Sequence, residues 1–301
     1  MRAAVITVFG DPSALKEADV DTPSPGRGQV LVRVRAAGVN PIEAKVRAGA
    51  FGLPAPAVIG FEFAGVVEAL GDGVVGVQPG DRVAGWPDSP AQGSYAEYTL
   101  SSNYTSIPDG VTFEQAAATV IGADNAARGL SELHLRAGET LLVTGASGAL
   151  GSAAVQFARL AGVTVIGVAG PSSLPFVESL GATAVEYGDG LVERVRAAAP
   201  QGIDAVLDTA GRGLLPAAIE LRGGNERVVT LADADAGRHG VPFSYGNDSN
   251  RNSGYVHDAL ERIAAGEWVT RIGHTLPLAQ ASEAHRILET GHTSGKIILT
   301  P

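Results

Sequence analysis

The sequence contains no cysteine. Disulfides, thiolate nucleophiles and cysteine-ligated zinc sites are therefore all excluded. Lysine is scarce: Lys16, Lys45 and Lys296 are the only three among 22 basic side chains. No basic cluster occurs, and the formal charge is -10. That balance argues against non-specific nucleic-acid binding and against docking on anionic lipid. His134, His239, His257, His274, His285 and His292 form neither an i, i+4 pair nor an HExxH helix. Surface or capping roles are expected for them, and no metal. The uncharged stretch Leu141 to Ala158 is broken by Gly, Ser and Thr that suit a turn better than a bilayer. Met1 to Phe9 reads as a first strand without cleavable-signal architecture, so the expected location is the cytoplasm.

What the chain does have is one organising stretch, Thr140 to Ala169. A β-branched apolar run, Leu141 to Thr144, leads into Gly145-Ala-Ser-Gly-Ala-Leu-Gly151. Leu150, Ala154, Phe157 and Ala161 then recur at helical spacing, and Gly162 closes that helix. A second apolar run, Val163 to Val168, completes a βαβ unit. Ala146-Ser-Gly148-Ala-Leu-Gly151 is a dinucleotide fingerprint with alanine at its first glycine. Gly148 allows close approach of a pyrophosphate, Gly151 allows the helix to sit on the strand, and the helix start attracts the charge. A tight turn joining strand to helix is the alternative.

Residues 1 to about 120 are short strands and turns, as in Val30-Leu-Val-Arg-Val-Arg-Ala-Ala, and predict an irregular, mostly antiparallel β-domain. Phe113 to Leu135 is alanine-rich and helical in character. Strands at 184–187, 203–207 and 227–232 alternate with helices at 174–180, 191–199 and 213–221, which predicts a parallel sheet covered on both faces. Tyr255, Val256, Ala259, Leu260 and Ile263 predict a further amphipathic helix, Leu278 to Glu289 another, and Lys296 to Thr300 a strand.

Several segments together carry a family resemblance. They are Ala37-Gly-Val-Asn-Pro with Lys45, Arg47 and Gly49; Gly60-Phe-Glu-Phe-Ala-Gly65; Gly80-Asp-Arg-Val; Gly93-Ser-Tyr-Ala-Glu-Tyr; the turn at 146–151; Leu180-Gly-Ala182; and Gly295-Lys-Ile-Ile-Leu. On these the chain resembles the zinc-free quinone oxidoreductase branch of the medium-chain dehydrogenase/reductase superfamily. The resemblance implies an α/β fold: a Rossmann doubly wound parallel sheet inserted in a mostly antiparallel, GroES-like catalytic domain. It puts the catalytic domain at 1–118 and 267–301 and the dinucleotide-binding domain at 119–266. It also implies a homodimer. Zinc-dependent relatives carry a histidine where Phe61 stands.

The same resemblance implies reduction of quinones, or of the C=C bond of α,β-unsaturated carbonyls, by a nicotinamide hydride. The alternatives are a cofactor-binding protein without redox turnover and a tailoring reductase for one complex metabolite. NAD-preferring sites place an acid at the end of the second strand. Here Val168-Ala-Gly-Pro-Ser-Ser173 has none, which favours NADPH, with NADH possible. The expected cofactor set is Asn40, Ala146, Ser147, Gly148, Ala149, Leu150, Gly170, Ser172, Ser173, Tyr187, Leu231, Phe243 and Tyr245. Ser172 and Ser173 are read as donors to the 2′-phosphate or as caps of the next helix. Asn40 is read as a positioner or a turn cap. Phe243 and Tyr245 border the nicotinamide or pack in the core. Lys45 matches a position where several relatives have lysine and others tyrosine; it is read as the candidate donor to the carbonyl oxygen or as a solvated lysine on a loop. Asp124 stands where threonine is usual; its readings are an N-cap, which is favoured, or a buried acid able to donate a proton.

Overall fold

The computed structural model describes residues 1–247, 249–291 and 293–301. Asp248 and His292 lie outside the described residues. Internal packing divides the chain into two units, Met1–Ile121 with Asn252–Pro301, and Gly122–Arg251. Among the described residues no helix is long and apolar enough to cross a membrane.

In the first unit β1 (Arg2–Ile6) pairs antiparallel with β2 (Leu15–Asp19). β3 (Val30–Val39) is the long apolar spine. Asn40 caps α1 (Pro41–Arg47), where Pro41 sits at the first helical position and needs no N–H partner. β4 (Ala57–Val58) joins β1, and β5 (Phe63–Leu70) lies against β3. β6 (Arg82–Trp86), β7 (Tyr98–Ser101) and β8 (Asn103–Ser106) follow. α2 (Phe113–Glu132) opens on a reciprocal cap: the Thr112 N–H donates to Gln115 Oε1 at 2.9 Å and the Gln115 N–H to Thr112 Oγ1 at 3.1 Å. It carries the chain into the second unit.

There the expected alternation is found. β9 (Thr140–Thr144), α3 (Ala149–Leu160), β10 (Thr164–Ala169), α4 (Leu174–Ser179), β11 (Thr183–Glu186), α5 (Leu191–Ala198), β12 (Ala205–Asp208), α6 (Leu215–Arg222) and β13 (Val228–Thr230) succeed one another. The sheet is parallel in the order β11-β10-β9-β12-β13. β9 lies at its centre and is buried at every residue, which is why it reads as an unbroken apolar run. Leu142, Ile166 and Val206 pack with Val195 and Leu215 in one core.

α7 (Ser253–Ala264) returns to the first unit, because Val256 and Leu260 share a core with Ala36, Ala64 and Ile298. The grouping thus begins at Asn252, where the sequence suggested 267. β14 (Ile272–Pro277) has no fully buried residue and so no apolar signature to read. After α8 (Ala281–Glu289), β15 (Lys296–Thr300) inserts between β14 and β3, with Ile298 opposite Gly38. The seven-stranded sheet runs β14-β15-β3-β5-β6-β8, with β7 also on β3. Segments far apart in sequence therefore build one GroES-like unit.

Candidate functional site

In the second unit the fingerprint forms the turn between β9 and α3. Gly145 adopts φ 68°, and the Ala146 N–H is spent on the Val168 carbonyl at 2.9 Å. A Cβ on Gly151 would lie 2.1 Å from the Gly145 carbonyl oxygen, so only glycine lets α3 start this close to β9. At Gly148 the nearest atom to an added Cβ is the same oxygen at 3.4 Å, and Gly148 is exposed. The amides of Ala149 and Leu150 open α3 with the positive end of its dipole. Ser147, Ala149 and Leu150 are half-buried and Ala146 is buried. An open glycine at a helix start, on the carboxyl edge of a parallel sheet, fits a dinucleotide diphosphate.

The neighbouring strand ends carry the rest of the expected set. Gly170 and Pro171 follow β10, and Ser172 is exposed. Ser173 sits at the N-cap of α4, but its side chain makes no capping bond. The Tyr187 ring lies 3.2 Å from where a Cβ on Gly170 would be. Leu231 donates its N–H to the Asp208 carbonyl at 2.8 Å, and its side chain lies toward Gly129 of α2. Phe243 and Tyr245 are 42% and 64% exposed, so they are not core residues.

Asp208 ties these ends together and is fully buried. Its carboxylate accepts from the hydroxyls of Thr144 and Thr230, and from the backbone N–H groups of Ala210 at 3.1 Å and Gly211 at 3.2 Å. One side chain thus fixes the carboxyl ends of β9, β12 and β13. A buried carboxylate is tolerable only with such full pairing.

Asp124 is not an N-cap. The cap of α2 is Thr112, and Asp124 lies mid-helix, 2% exposed. Its Oδ2 accepts from Arg128 Nη1 at 3.3 Å, an i, i+4 pair.

The first unit holds the other candidates, Asn40 and Lys45. Lys45 points outward from α1, whereas Glu43, Val46 and Arg47 point in. Asn40 is buried and belongs to a charged network. Its backbone N–H donates to Glu43 Oε2 at 2.9 Å; its Nδ2 donates to Glu43 Oε1 at 3.1 Å and to Glu62 Oε1 at 3.0 Å. The Lys296 ammonium donates to Asn40 Oδ1 and is ion-paired with Glu62. The Phe61 N–H donates to Glu43 at 3.2 Å and the Ile121 N–H to Glu62 at 2.8 Å. A Cβ on Gly38 would lie 2.0 Å from Glu62 Oε1, so glycine there makes room for the carboxylate. Asn40 therefore occupies the capping position, with its amide hydrogens committed to two carboxylates.

One ammonium against two buried carboxylates leaves a charge imbalance. Burial pushes the Glu43 carboxyl up to about 7, opposed by Lys296 and by the Asn40 hydrogen bond. Nearby, Tyr95 Oη lies 3.3 Å from His285 Nε2. Burial, then the Arg47 charge, pulls His285 down to about 3. Burial, then Glu43 and Glu62, holds the Tyr95 phenol well above its ordinary value.

Glu62, Lys296, Asp208 and Arg128 belong to no expected site. What marks them in the sequence is a charge set inside or beside an apolar run. Beside near neighbours such as Asp124 for Arg128, each has partners tens to hundreds of residues away, which no local pattern encodes.

Residues 26–125 match the family described as alcohol dehydrogenase GroES-like domain, and residues 180–299 the family described as zinc-binding dehydrogenase. Among the described residues no group of three or more His, Asp or Glu is placed to hold a metal ion. The quinone oxidoreductase of Rattus norvegicus is 32% identical, with 99% of this chain and 97% of that protein covered. The chloroplastic NADPH-dependent alkenal/one oxidoreductase of Arabidopsis thaliana is 30% identical over 100% of this chain and 80% of that one. A Coxiella burnetii quinone oxidoreductase structure matches with a TM-score of 0.88 at 29% identity, covering 100% of this chain and 99% of that one. A mycobacterial structure complexed with NADPH matches at 0.87 and 27%, both chains covered fully. A GroES-like unit combined with a Rossmann unit defines the medium-chain dehydrogenase/reductase class. Within it, the chain belongs to the quinone oxidoreductase family.

Proposed function

We propose that the protein is an NADPH-dependent reductase of quinones, or of the C=C bond of α,β-unsaturated carbonyls, working without a metal. The observation that carries this reading is the open glycine turn at the start of α3, followed one strand over by an acid-free Gly170-Pro-Ser-Ser173. The amides of Ala149 and Leu150 hold the diphosphate. Ser172, Ser173 and Tyr187 offer hydroxyls to the 2′-phosphate, and no carboxylate among residues 168–173 repels it. The relatives described as NADPH-dependent or solved with NADPH support that choice over NADH. Phe243 and Tyr245 present aromatic faces to the nicotinamide end.

NADPH, when bound, supplies hydride to the β-carbon of the acceptor. Negative charge then grows on the carbonyl oxygen, and a fixed donor there lowers the barrier. Lys45, on the outward face of α1, takes that role; its ammonium then gives a proton to the α-carbon of the enolate and regains one from water. Asn40 acts from beneath, as the cap that sets the start of α1. Asp124, buried against Arg128, is not needed as the acid. The family also implies a homodimer.

The test is purified protein with NADPH and a panel of enones and naphthoquinones, followed at the reduced-nicotinamide absorbance band. Steady oxidation is expected. Tight NADPH binding with no oxidation across the panel would leave a binding protein instead.

A further inference from the structure

The segment after β13 runs beside it, with Phe243 bridged parallel to Thr230. Phe243 and Tyr245 face out, while Ser244 between them is only 5% exposed. Its backbone is fixed to β13: the Thr230 N–H donates to the Pro242 carbonyl at 3.1 Å and the Ser244 N–H to the Thr230 carbonyl at 2.9 Å. Its side chain is fixed to α2. Arg128 Nε donates to Ser244 Oγ at 3.2 Å, and Ser244 Oγ donates to Glu132 Oε1 at 2.6 Å.

The same guanidinium reaches two further acceptors. Nη1 donates to Asp124 at 3.3 Å and Nη2 to Asn125 Oδ1 at 2.8 Å. Gly246 completes the contact, since a Cβ there would lie 3.0 Å from Asn125 Oδ1 and 3.2 Å from Arg128 Nη1. Three acceptors in three directions suit a rigid planar fork and not an ammonium. Arg128 is itself buried, with Asp124 and Glu132 offsetting the cost of keeping its charge there. Asp124 thereby has a purpose where relatives usually carry threonine: it answers a buried arginine one turn further along α2.

We propose that Arg128 is a positioning residue for the nicotinamide cofactor. Through Ser244 it sets the height and angle at which Phe243 and Tyr245 meet the bound ring. This rests on the reading of that aromatic pair as part of the cofactor site. Arg128 touches neither cofactor nor substrate; it acts through the segment that does.

The experiment titrates NADPH into the wild type and the variants R128K, S244A, Y245A and R128K/Y245A, following nicotinamide fluorescence. Loss of one buried, charge-assisted hydrogen bond predicts that R128K and S244A each bind about tenfold more weakly. If Arg128 acts through Tyr245, the double variant binds no more weakly than Y245A alone. A merely structural role would lower the folded fraction and leave the affinity of the folded fraction unchanged. If R128K fails to fold, S244A decides, because it leaves the Asp124–Arg128 pair in place. Wild-type affinity in R128K and S244A, or full additivity in the double variant, overturns the inference while leaving the reductase reading intact. No binding by the wild type removes both.

Discussion

Glu43 and His285 should shape the pH dependence of stability in opposite directions. Glu43 stands at about 7 in the folded unit against 4.5 when free, so between those values the folded state holds a proton that the unfolded state has released. Stability from this group is full below 4.5 and falls as pH rises toward 7. At 1.36 kcal/mol for each unit, the loss is roughly 3 kcal/mol. His285 stands at about 3 against 6.5, so between those values the unfolded state takes up the proton that the buried ring refuses. Its contribution is full above 6.5 and falls as pH drops toward 3, by roughly 5 kcal/mol in total. From 4.5 to 6.5 the two slopes oppose each other and nearly cancel. E43Q removes one of them. Urea unfolding at fixed temperature, repeated from pH 4 to 8, gives the assay. The difference in stability between wild type and E43Q should shift by roughly 3 kcal/mol across that range, with the wild type losing ground as pH rises. All other titrating groups are common to both proteins and drop out. Parallel curves for the two proteins would refute the reasoning, whatever the absolute stabilities.

Other outcomes follow from the same contacts. K296M strands two buried carboxylates and should cost about 3–5 kcal/mol at pH 8, measured by urea unfolding, and less at pH 5 where Glu43 is protonated. D208N turns one oxygen that accepts into a nitrogen that donates; Thr230 Oγ1 already accepts from the Ala232 and Asp233 N–H groups, so about 1–3 kcal/mol of stability should go. G151V forces α3 off β9 and should abolish NADPH binding as read by fluorescence titration, because its Cβ would overlap the Gly145 carbonyl. K45M should lower kcat for enone reduction about hundredfold, in the range of losing one oxyanion donor, with the Kd for NADPH unchanged; an unchanged kcat removes Lys45 from the chemistry.

The parts legible in the sequence are those whose cause is local. The β9–turn–α3 unit announces itself because strand, glycines and helix fall within thirty consecutive residues; the structure places these as read, although of the stripe only Ala154 is buried and Ala161 lies exposed past the end of α3. The alternation from β9 to β13 is legible for the same reason. Asp124 misleads because Asp-Asn in an apolar run looks like a helix start, whereas the true start is the Thr112–Gln115 box and the alanine run continues through both residues. β14 escapes notice because it is largely exposed. α7 is recognised as a helix, but the unit it joins depends on which face Val256 and Leu260 find. Asn40 and Lys45 stand out together by motif, yet α1 turns one inward and the other to solvent. The network around Asn40 is legible only in part: Glu43 and Glu62 lie in recognisable segments, but the cation that balances them comes from β15.

That late arrival bears on how the protein is made. On the ribosome, β3 emerges long before β15, and until then its Gly38 edge has no partner on that side. The Rossmann unit, contiguous from Gly122 to Arg251, can assemble meanwhile, so a nascent chain carries a finished domain beside a half-built one. During that interval Glu62 has no ammonium to pair with, and hydration or protonation must keep it from being sealed in too early. Chaperone dependence in vivo should therefore concentrate on the first 121 residues, and stalled chains that lack β15 should bind holdases through the open β3 edge.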